Sequence, residues 1–476
     1  MESIVRLSSL KISNIKNVRT GQIVMPNTCR KQLDYRNAEV LGLYGQNGSG
    51  KTAVIDALYY LQSIMIGGTL EEEIVDYIDA NGNQAEIAAD FHIFVGQLVY
   101  EAGYKVVLKR SGKGVEVARE TLSCAVNEGD NRSNKTVFMD YRRSDRENVF
   151  APKKRLDEVM EGCPENRTDL IVARKLAEKS NCSYIFGESS REIFCRKYEN
   201  DFRHCSEVIK ALFGFALKDL FVIRNAHSGV ISANFLLPMA FKFEQDEIGL
   251  KGDFAIPLTE PVVLGEKRKA VLEAIVNQVN MVLYTIIPGM KIEVHNDGRQ
   301  LTDSGENGYR VELVSVREGM APIPIRMESE GIIKIVSILN ALIQAFGNPS
   351  ICLAIDELDA GIFEYMLGEL LDIFNKSAKG QLIFTSHNLR ALEMLDKDNI
   401  MFSTVNPDRR YIRMKNVKAS NNLRDTYIRG ITLGGQDEVI YEETDSLKIA
   451  RAFRKAGRAI EHEGKEGDCV HSGRAK

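Results

Sequence analysis

The sequence has no unbroken apolar run of about eighteen residues, the length at which a hydrophobic stretch predicts a membrane-spanning helix. Its first residues, MESIVRLSSLKIS, have no long apolar core of the kind found in a secretion signal. Its 8 cysteines are scattered without a CxxC pair, a usage typical of reduced thiols in the cytosol. These absences predict a cytoplasmic protein that has no membrane partner.

Neither sign of charge is in large excess. The chain has 62 Lys and Arg against 66 Asp and Glu, so no overall positive field indicates a nucleic-acid partner, although a local patch could still bind one. The absence of a long heptad array excludes an extended coiled-coil arm. His204 and Cys205 lie near Cys195, but their spacing fits no common zinc site, and we favour buried structural residues.

The most specific motif in the 476 residues is a complete phosphate-binding loop. It follows an apolar stretch at 40–44 that predicts a strand, and it opens into a helical pattern at 53–65. The loop consists of Gly45, Gln46, Asn47, Gly48, Ser49, Gly50, Lys51 and Thr52.

Each part of this loop suits a nucleoside triphosphate. The glycines let backbone N–H groups turn inward as an anion nest, and the positive end of the following helix adds to the field. Lys51 can reach the β- and γ-phosphates, and the Thr52 hydroxyl can ligate Mg²⁺. The alternative is a glycine-rich turn that binds nothing, and the filled motif in its strand–loop–helix setting argues against it.

An acidic pair follows a second apolar stretch. Residues 351–357, ICLAIDE, predict a buried parallel strand that ends in Asp356 and Glu357. Asp356 is placed to hold Mg²⁺, and Glu357 is placed to orient and deprotonate the attacking water. An Asp-Glu pair often only caps a helix, but here it accompanies a phosphate-binding loop.

Two further polar positions complete the predicted site. The strand predicted at 381–385 ends close to His387, which can bond the γ-phosphate and sense its loss; a lone surface histidine is the alternative. Ser329 stands before a helical pattern at 332–346 and fits as its N-cap. Its hydroxyl and the free N–H groups of the first turn make a second anion site, so we expect both capping and phosphate contact.

The patterns predict an α/β protein in four parts. Alternation of apolar and polar residues predicts strands in 4–26 and 85–108, so the first part is a P-loop lobe with an antiparallel sheet. Charged helical stretches predict that the second part is an inserted helical module. The third part holds the second half of the site, and the fourth is a C-terminal helix and tail. The four predicted parts are 1–150, 151–265, 266–440 and 441–476.

In this order the motifs resemble an ABC-type ATPase head. The segments LKISNIKNV, SEGIIKIVSIL, DELDAGI and LIFTSHNL are similar to its soluble SMC/RecF-like branch, which includes the overcoming-lysogenisation-defect class and anti-phage defence ATPases such as PtuA and AriA. The resemblance covers roughly 4–110 and 265–405. The signature departs from Leu-Ser-Gly-Gly-Gln, Leu358 replaces a proline after the acids, and Gln97 is only a weak candidate for the Q-loop glutamine.

The resemblance implies an ATP hydrolase that uses ATP and Mg²⁺ and works as a homodimer, with higher assemblies left open. Ser329 and Gly331 of one copy would cap the ATP that Lys51 and Thr52 of the other copy hold. Asp359 would lie in a subunit-contact loop. Hydrolysis by Glu357 would open the dimer.

Two roles are consistent with these motifs. The residues after His387 contain no acidic constellation of a metal-dependent nuclease, so we favour a sensor or scaffold that controls a separate nuclease or toxin in bacterial anti-phage defence. The alternative is a DNA-repair or chromosome-associated ATPase that clamps DNA. A transporter motor subunit is a third hypothesis, which the antiparallel lobe and the long insertion disfavour.

Basic residues bear on the choice between these roles. The basic residues in 409–418 and in 142–155 fit either a phosphodiester backbone or a strand edge guarded by charge. A basic amphipathic helix predicted at 445–461 could dock on a partner or on its own body, and we favour its own body.

Overall fold

The computed structural model describes residues 3–29, 35–79, 82–112, 114–129, 131–161, 163–224, 236–245, 248–258, 260–302, 305–415 and 422–457. Its strands are β1 Ile4–Ile15, β2 Val18–Val24, β3 Glu39–Tyr44, β4 Gln84–Val95, β5 Leu98–Ser111, β6 Gly114–Glu128, β7 Asn131–Arg132, β8 Thr136–Arg142, β9 Leu220–Ile223, β10 Leu236–Gln245, β11 Ile248–Pro257, β12 Val262–Gly265, β13 Met290–Leu301, β14 Asn307–Arg317, β15 Ile323–Pro324, β16 Cys352–Ile355, β17 Gln381–Thr385, β18 Ile400–Ser403 and β19 Tyr411–Ile412.

Helices connect these strands and cover the sheets. They are α1 Lys51–Met65, α2 Ile74–Tyr77, α3 Lys153–Met160, α4 Asn166–Ser180, α5 Glu188–Phe194, α6 Phe202–Gly214, α7 Glu266–Ile286, α8 Glu330–Gly347, α9 Glu364–Ser377, α10 Ala391–Met394 and α11 Leu423–Leu433. A further helix, the C-terminal helix, spans 446–457.

The first lobe is built on an antiparallel sheet, as the alternating pattern predicts. Its strands follow the order β2-β1-β4-β5-β6-β7, and β8 also pairs with β6. Buried and less buried residues alternate along β4, the period of two that a half-buried strand requires. Helices α3 to α6 pack under this sheet and share its hydrophobic core.

A second sheet runs through the middle of the molecule. Its order is β19-β18-β3-β17-β16-β9, and all its strands except β19 run parallel. The mixed α/β fold with an antiparallel lobe is therefore the fold class that the sequence predicts. Strand β17 lies between β3 and β16, although it follows both in the chain.

The parallel sheet separates two hydrophobic cores. On one face Leu41 and Ala354 join the core of the first lobe. On the other face Val40, Leu353 and Phe384 pack in a core with α7, α8 and α9. Both faces are covered, which explains why these strands are apolar almost throughout.

The prediction of a helical module from 151 to 265 is wrong in its last part. The helices end at Gly214, followed by a single π-helical turn at Phe215–Asp219. Strand β9 then adds the edge strand of the parallel sheet, and β10 pairs with β11 in a hairpin. A four-residue apolar run such as LFVI does not distinguish a strand from a buried helical turn, so the sequence pattern could not place β9.

One described helix, α8, is long and apolar enough by composition to cross a membrane. Most of its residues are buried inside the protein, however, as is usual for the core helix of a soluble domain. The six cysteines whose state the structure gives are all free thiols, namely Cys124, Cys163, Cys182, Cys195, Cys205 and Cys352.

Candidate functional site

The phosphate-binding loop and the acidic pair meet at one edge of the parallel sheet. Strand β3 leads into Gly45, and β16 leads into Asp356. Strand β17, which ends at Thr385, pairs in parallel with both of them. The carboxyl ends of parallel strands form one edge, so residues that are distant in the sequence become neighbours there.

Three loop glycines have backbone angles or contacts that exclude a side chain. Gly48 has φ 76° and Gly50 has φ 88°, in the left-handed region that favours glycine. A Cβ on Gly45 would lie 1.9 Å from Oγ of Ser403, at the end of the neighbouring strand β18. The loop therefore curls closely over the sheet edge before α1 begins at Lys51.

Lys51 folds back over this loop. Its ammonium group donates to the carbonyl oxygens of Gly45 at 2.9 Å and of Gln46 at 3.1 Å. Burial lowers the pKa of the ammonium, and the negative charges of Asp356, Glu357 and Asp359 oppose that shift. A partly desolvated cation held over a nest of N–H groups is arranged to bind a polyanion.

Asp356 is the most buried acid at this edge. Its Oδ1 accepts from the hydroxyl of Thr385 at 2.6 Å and from that of Thr52 at 3.3 Å. Its Oδ2 is buried and has no hydrogen-bond partner among the described residues. A buried carboxylate oxygen beside a threonine hydroxyl fits a hard divalent cation such as Mg²⁺, which prefers oxygen ligands.

Glu357 has an unusual backbone conformation for a residue other than glycine. Its φ is 50°, its N–H donates to Oγ1 of Thr385 at 2.7 Å, and its carbonyl oxygen accepts from the ammonium group of Lys334. Backbone in this region is strained for a side chain with a Cβ, and it persists where neighbouring groups hold it. The two contacts fix Glu357 at the end of β16.

His387 and Asp359 lie together at the end of β17. The backbone N–H of His387 donates to Oδ2 of Asp359 at 2.9 Å, while Oδ1 of Asp359 is buried without a partner among the described residues. The imidazole ring is exposed. Partial burial and then the charge of Lys51 lower the pKa of His387.

Ser329 caps α8, as predicted, and accepts a hydrogen bond from the N–H of Ile332 at 3.4 Å. Gly331 packs against the turn that follows Asp359, and a Cβ on Gly331 would lie 1.8 Å from the carbonyl oxygen of Gly361. In the described chain, none of the hydrogen bonds of Ser329 reaches residues 45–52. Ser329 and Gly331 therefore border the acidic strand end but do not close over the phosphate-binding loop.

Sequence reasoning missed several residues that support the site. Lys334 is one, and a lysine inside the apolar run of α8 was a signal visible in the sequence. In the structure the side chain of Lys334 is only 6% exposed. Thr385 is another, because its hydroxyl contacts both Asp356 and the N–H of Glu357. Tyr411 donates to the carbonyl oxygen of Gly50 at 2.6 Å, and only the fold brings these two residues together.

A charged cluster also joins the two lobes beside α1. Asp56 is buried and pairs with Lys16 of the first lobe and with Arg224, which follows β9. Arg224 also donates to the hydroxyl of Tyr77 at 2.6 Å. The cluster ties the helix of the phosphate-binding loop to the first lobe.

The weak Q-loop candidate is not at the site. Gln97 lies exposed in the turn between β4 and β5. The end of β4 beside that turn pairs with the start of β1, as Phe94 faces Ile4. The side chain of Asn17, just beyond the other end of β1, donates to the carbonyl oxygen of Gly48. Gln97 is thus at the opposite end of the lobe from the phosphate-binding loop.

Most of the basic residues singled out in the sequence have acidic or carbonyl partners. Arg142 pairs with Asp140, and Arg143 with Glu116. The remaining pairs are Lys154 and Arg155 with Glu158, Arg409 with Asp437 and Glu438, and Lys415 with Asp437. Lys418 lies outside the described residues. These pairs favour charge-guarded strand edges over a phosphodiester-binding surface.

No family model matches the sequence, and no curated protein matches it. Among solved structures, the Smc head domain with a coiled coil and joint from Pyrococcus yayanosii is 14% identical, with a TM-score of 0.40 over 89% of this chain and 100% of that one. The Smc head domain from Pyrococcus furiosus, bound to the C-terminal domain of ScpA, is 14% identical, with a TM-score of 0.39 over 86% and 96% of the two chains. The SMC head domain from Thermotoga maritima is 12% identical, with a TM-score of 0.32 over 86% and 99%. Likeness at this level concerns the fold alone.

Proposed function

We propose that the chain binds ATP at residues 45–52 and hydrolyses it with the help of Mg²⁺. One observation carries the proposal: Thr52 and Asp356, far apart in the sequence, place oxygens 3.3 Å apart, and the second carboxylate oxygen of Asp356 is buried with no partner among the described residues. Mg²⁺ held by these oxygens would neutralise charge on the β- and γ-phosphates. Lys51 would leave the carbonyl oxygens of its own loop and bind the same phosphates.

Glu357 is the proposed general base. It follows the metal-binding acid directly, and its strained backbone is held by Thr385 and Lys334. Its carboxylate would orient the attacking water and take its proton. His387, two residues beyond the end of the neighbouring strand β17, would donate a hydrogen bond to the γ-phosphate from its neutral ring.

The site is completed by a second copy of the chain. Within one chain the turn at 329–331 lies against the loop at 359–361 and not over residues 45–52. Two copies placed head to tail would bring the hydroxyl of Ser329 and the backbone N–H of Gly331, at the start of α8, onto the γ-phosphate of the other copy. ATP would thus select the closed dimer, and hydrolysis would open it.

We propose that in the cell the protein is a cytoplasmic sensor or scaffold in bacterial anti-phage defence. It would control a separate effector, which is a nuclease or a toxin. The described residues contain no cluster of three or more His, Cys, Asp or Glu that could hold a metal ion, so they offer no nuclease centre of that kind. The DNA-clamping alternative draws less support, because the basic residues that could touch DNA are largely paired within the chain.

An assay of ATP hydrolysis on the purified protein tests the catalytic proposal directly. We expect Mg²⁺-dependent release of phosphate from ATP that EDTA abolishes. Glu357→Gln should still bind ATP but turn it over at least about a hundredfold more slowly, because it keeps the size of the side chain and removes the base. Lys51→Ala should abolish ATP binding measured by calorimetry.

Two variants serve as controls. Lys376→Ala changes an exposed lysine on α9 whose partner is Asp372, and it should leave binding and turnover unchanged. Glu369→Gln makes the same glutamate-to-glutamine substitution as Glu357→Gln, but at an exposed position on α9. Unaltered ATP affinity in Lys51→Ala would refute the site, and a normal rate in Glu357→Gln would remove Glu357 as the base.

A further inference from the structure

The C-terminal helix, 446–457, has an apolar face that none of the described residues covers. Its first turn is capped by Asp445, whose Oδ1 accepts from the N–H groups of Leu447 at 2.9 Å and Lys448 at 3.1 Å. Leu447 is 67% exposed and Phe453 is 76% exposed. Ile449 and Phe453 are four residues apart and share one face, together with Ala450. The sequence expectation that this helix packs on its own body is therefore wrong.

The chain before this helix fixes where it starts. The N–H of Glu442 donates to Oε1 of Gln46, within the phosphate-binding loop, at 2.7 Å. Ile440, two residues earlier, is buried in the core, and the N–H of Val405 donates to the carbonyl oxygen of Val439 at 2.8 Å. Three residues of extended chain span at most about 11 Å, so the helix begins at the rim of the phosphate-binding loop.

A second exposed apolar patch borders the 329–331 turn. It consists of Met327, Phe363 and Tyr365, which are 69%, 68% and 59% exposed. The rings of Phe363 and Tyr365 lie 5.9 Å apart, and the turns that carry these three residues touch where Gly331 meets Gly361. Exposed apolar clusters of this kind mark interaction surfaces.

The charges on the two surfaces are complementary. The helix carries Lys448, Arg451, Arg454 and Lys455 and no acid. The patch is bordered by Glu330 and Glu364, which are exposed at the starts of α8 and α9. The guanidinium of Arg390, which lies 4.8 Å from the ring centroid of Tyr365, is paired with Glu393. Both surfaces are amphipathic, so a helix that lays its apolar face on the patch would keep its basic groups near acids.

We infer that the C-terminal helix of one copy docks on the patch formed by Met327, Phe363 and Tyr365 of the second copy when ATP closes the dimer. This inference rests on the proposed function, since it requires residues 45–52 of one copy to face the 329–331 turn of the other. In that arrangement the helix, anchored beside residues 45–52, lies opposite the patch, anchored beside 329–331. The helix spans about 18 Å along its axis.

Photo-crosslinking tests this contact. Phe453 is replaced by p-benzoylphenylalanine in the Glu357→Gln background, and chains with natural nitrogen are mixed with chains uniformly labelled with ¹⁵N. We expect ATP-dependent crosslinks from position 453 of one isotopic form to residues 327–330 or 363–365 of the other. Crosslinks confined to a single isotopic form, or none between copies although native mass measurement shows a dimer, would overturn the inference and leave the proposed function standing. Failure of Glu357→Gln to dimerise with ATP would overturn both.

A point substitution gives a second readout. Phe453→Asp should raise the dissociation constant of the ATP-bound dimer about tenfold or more, because a buried aromatic anchor is lost and a charge is placed against glutamates. Leu176→Asp, a similar change at an apolar residue 47% exposed on α4, should leave the constant unchanged. Phe453→Asp could instead leave the dissociation constant of the dimer unchanged and abolish binding of the protein to vesicles of anionic phospholipid. That result would assign the helix to membranes and overturn the inference.

Discussion

At the scale of single residues, Lys334 shows how a buried charge supports a catalytic geometry. It lies on a helix whose other buried residues are apolar except for Ser337 and Asn340, and its ammonium group donates to the carbonyl oxygen of Glu357. Burial lowers the pKa of Lys334, while Asp359, Glu357 and Asp356 oppose the shift. A buried cation is costly, and this one is held by the carbonyl oxygen of Glu357.

We predict that Lys334→Met lowers kcat about ten- to a hundredfold with little change in KM, because Glu357 loses one of the two contacts that hold its backbone. The melting temperature should stay the same or rise, since methionine fills the space without a buried charge. Steady-state kinetics and thermal unfolding measure the two effects. A parallel loss of stability and activity would instead mean that Lys334 serves the fold alone, and Lys376→Met is the exposed control.

A pH-dependent contribution to stability is expected from Glu120 in the first lobe. Its carboxylate is fully buried, and it accepts from the hydroxyls of Tyr104 at 2.6 Å and Ser183 at 2.5 Å. Burial raises the pKa of Glu120, and the hydrogen bonds only partly oppose this. The folded state therefore binds the proton more tightly than the unfolded state, and stability falls as pH rises from about 4.5 through the folded pKa.

We predict that Glu120→Gln removes this dependence. The wild-type free energy of unfolding minus that of the variant should decline with rising pH, by at most about 1.4 kcal/mol per pH unit, and then level off. Urea unfolding between pH 4.5 and 8 measures it. A difference that stays constant over this range would show that Glu120 titrates alike in the folded and unfolded states.

The sequence could predict residues that belong to a local motif and could not predict those recruited by the fold. Lys51 and Thr52 stand in one continuous motif, and Asp356 ends an apolar strand, so pattern and chemistry agree at each position. Arg224 and Tyr411 reach α1 and the loop only through sheet pairing, and no local pattern marks them. The position of Gln97, at the end of the lobe away from the phosphate-binding loop, likewise follows from strand register alone.

At the scale of elements, the first turn of α8 is locked to the loop after β16 by a contact between two glycines. A Cβ on Gly331 would meet the backbone oxygen of Gly361, which cannot move away as a flexible side chain could. Ser329 and Asp359, each two residues before one of these glycines, belong to the proposed dimer face. Two glycines thus set how the two turns present that face.

We predict that Gly331→Ala lowers stability by about 1–3 kcal/mol and weakens the ATP-bound dimer, because α8 must shift to relieve the overlap. Chemical unfolding and sedimentation in ATP measure these effects. Gly347→Ala, at the other end of the same helix with open space around it, should be neutral or slightly stabilising. Equal effects of the two substitutions would contradict the packing argument.

Elements with a clear period, or with a motif at their end, were predicted, and those without either were not. The helical pattern at 332–346 and the strand pattern at 381–385 correspond to α8 and β17. Strand β9 has only four residues, and its pairing with β16 comes from the sheet and not from its own composition. The hairpin of β10 and β11 was missed because charged helical stretches before it suggested that the helical module continued.

At the scale of the whole molecule, the proposed dimer predicts complementation between two inactive variants. Ser329→Arg places a bulky cation in the turn that caps the partner's ATP, and Lys51→Ala removes the cation that binds ATP in the variant's own loop. Each variant alone should be inactive. A random mixture should recover about a quarter of wild-type turnover, because half of the dimers are mixed and each of these has one intact site of two.

The mixing experiment distinguishes a shared site from a site within one chain. Turnover is measured on the separate variants and on their mixture at equal total concentration. Full activity of Ser329→Arg alone would contradict completion by a second copy. A mixture that stays inactive, although native mass measurement shows mixed dimers, would contradict it as well.

Strand β3 pairs with β17 on one side and β18 on the other, and both of these follow residue 380. While the ribosome is still making the middle of the protein, the strand that leads into Gly45 therefore has no sheet neighbour and presents two open edges. Nascent chains halted before residue 381 should expose this apolar strand to chaperones or to one another, and they should not retain ATP. Nucleotide capture would then report that synthesis has passed β18.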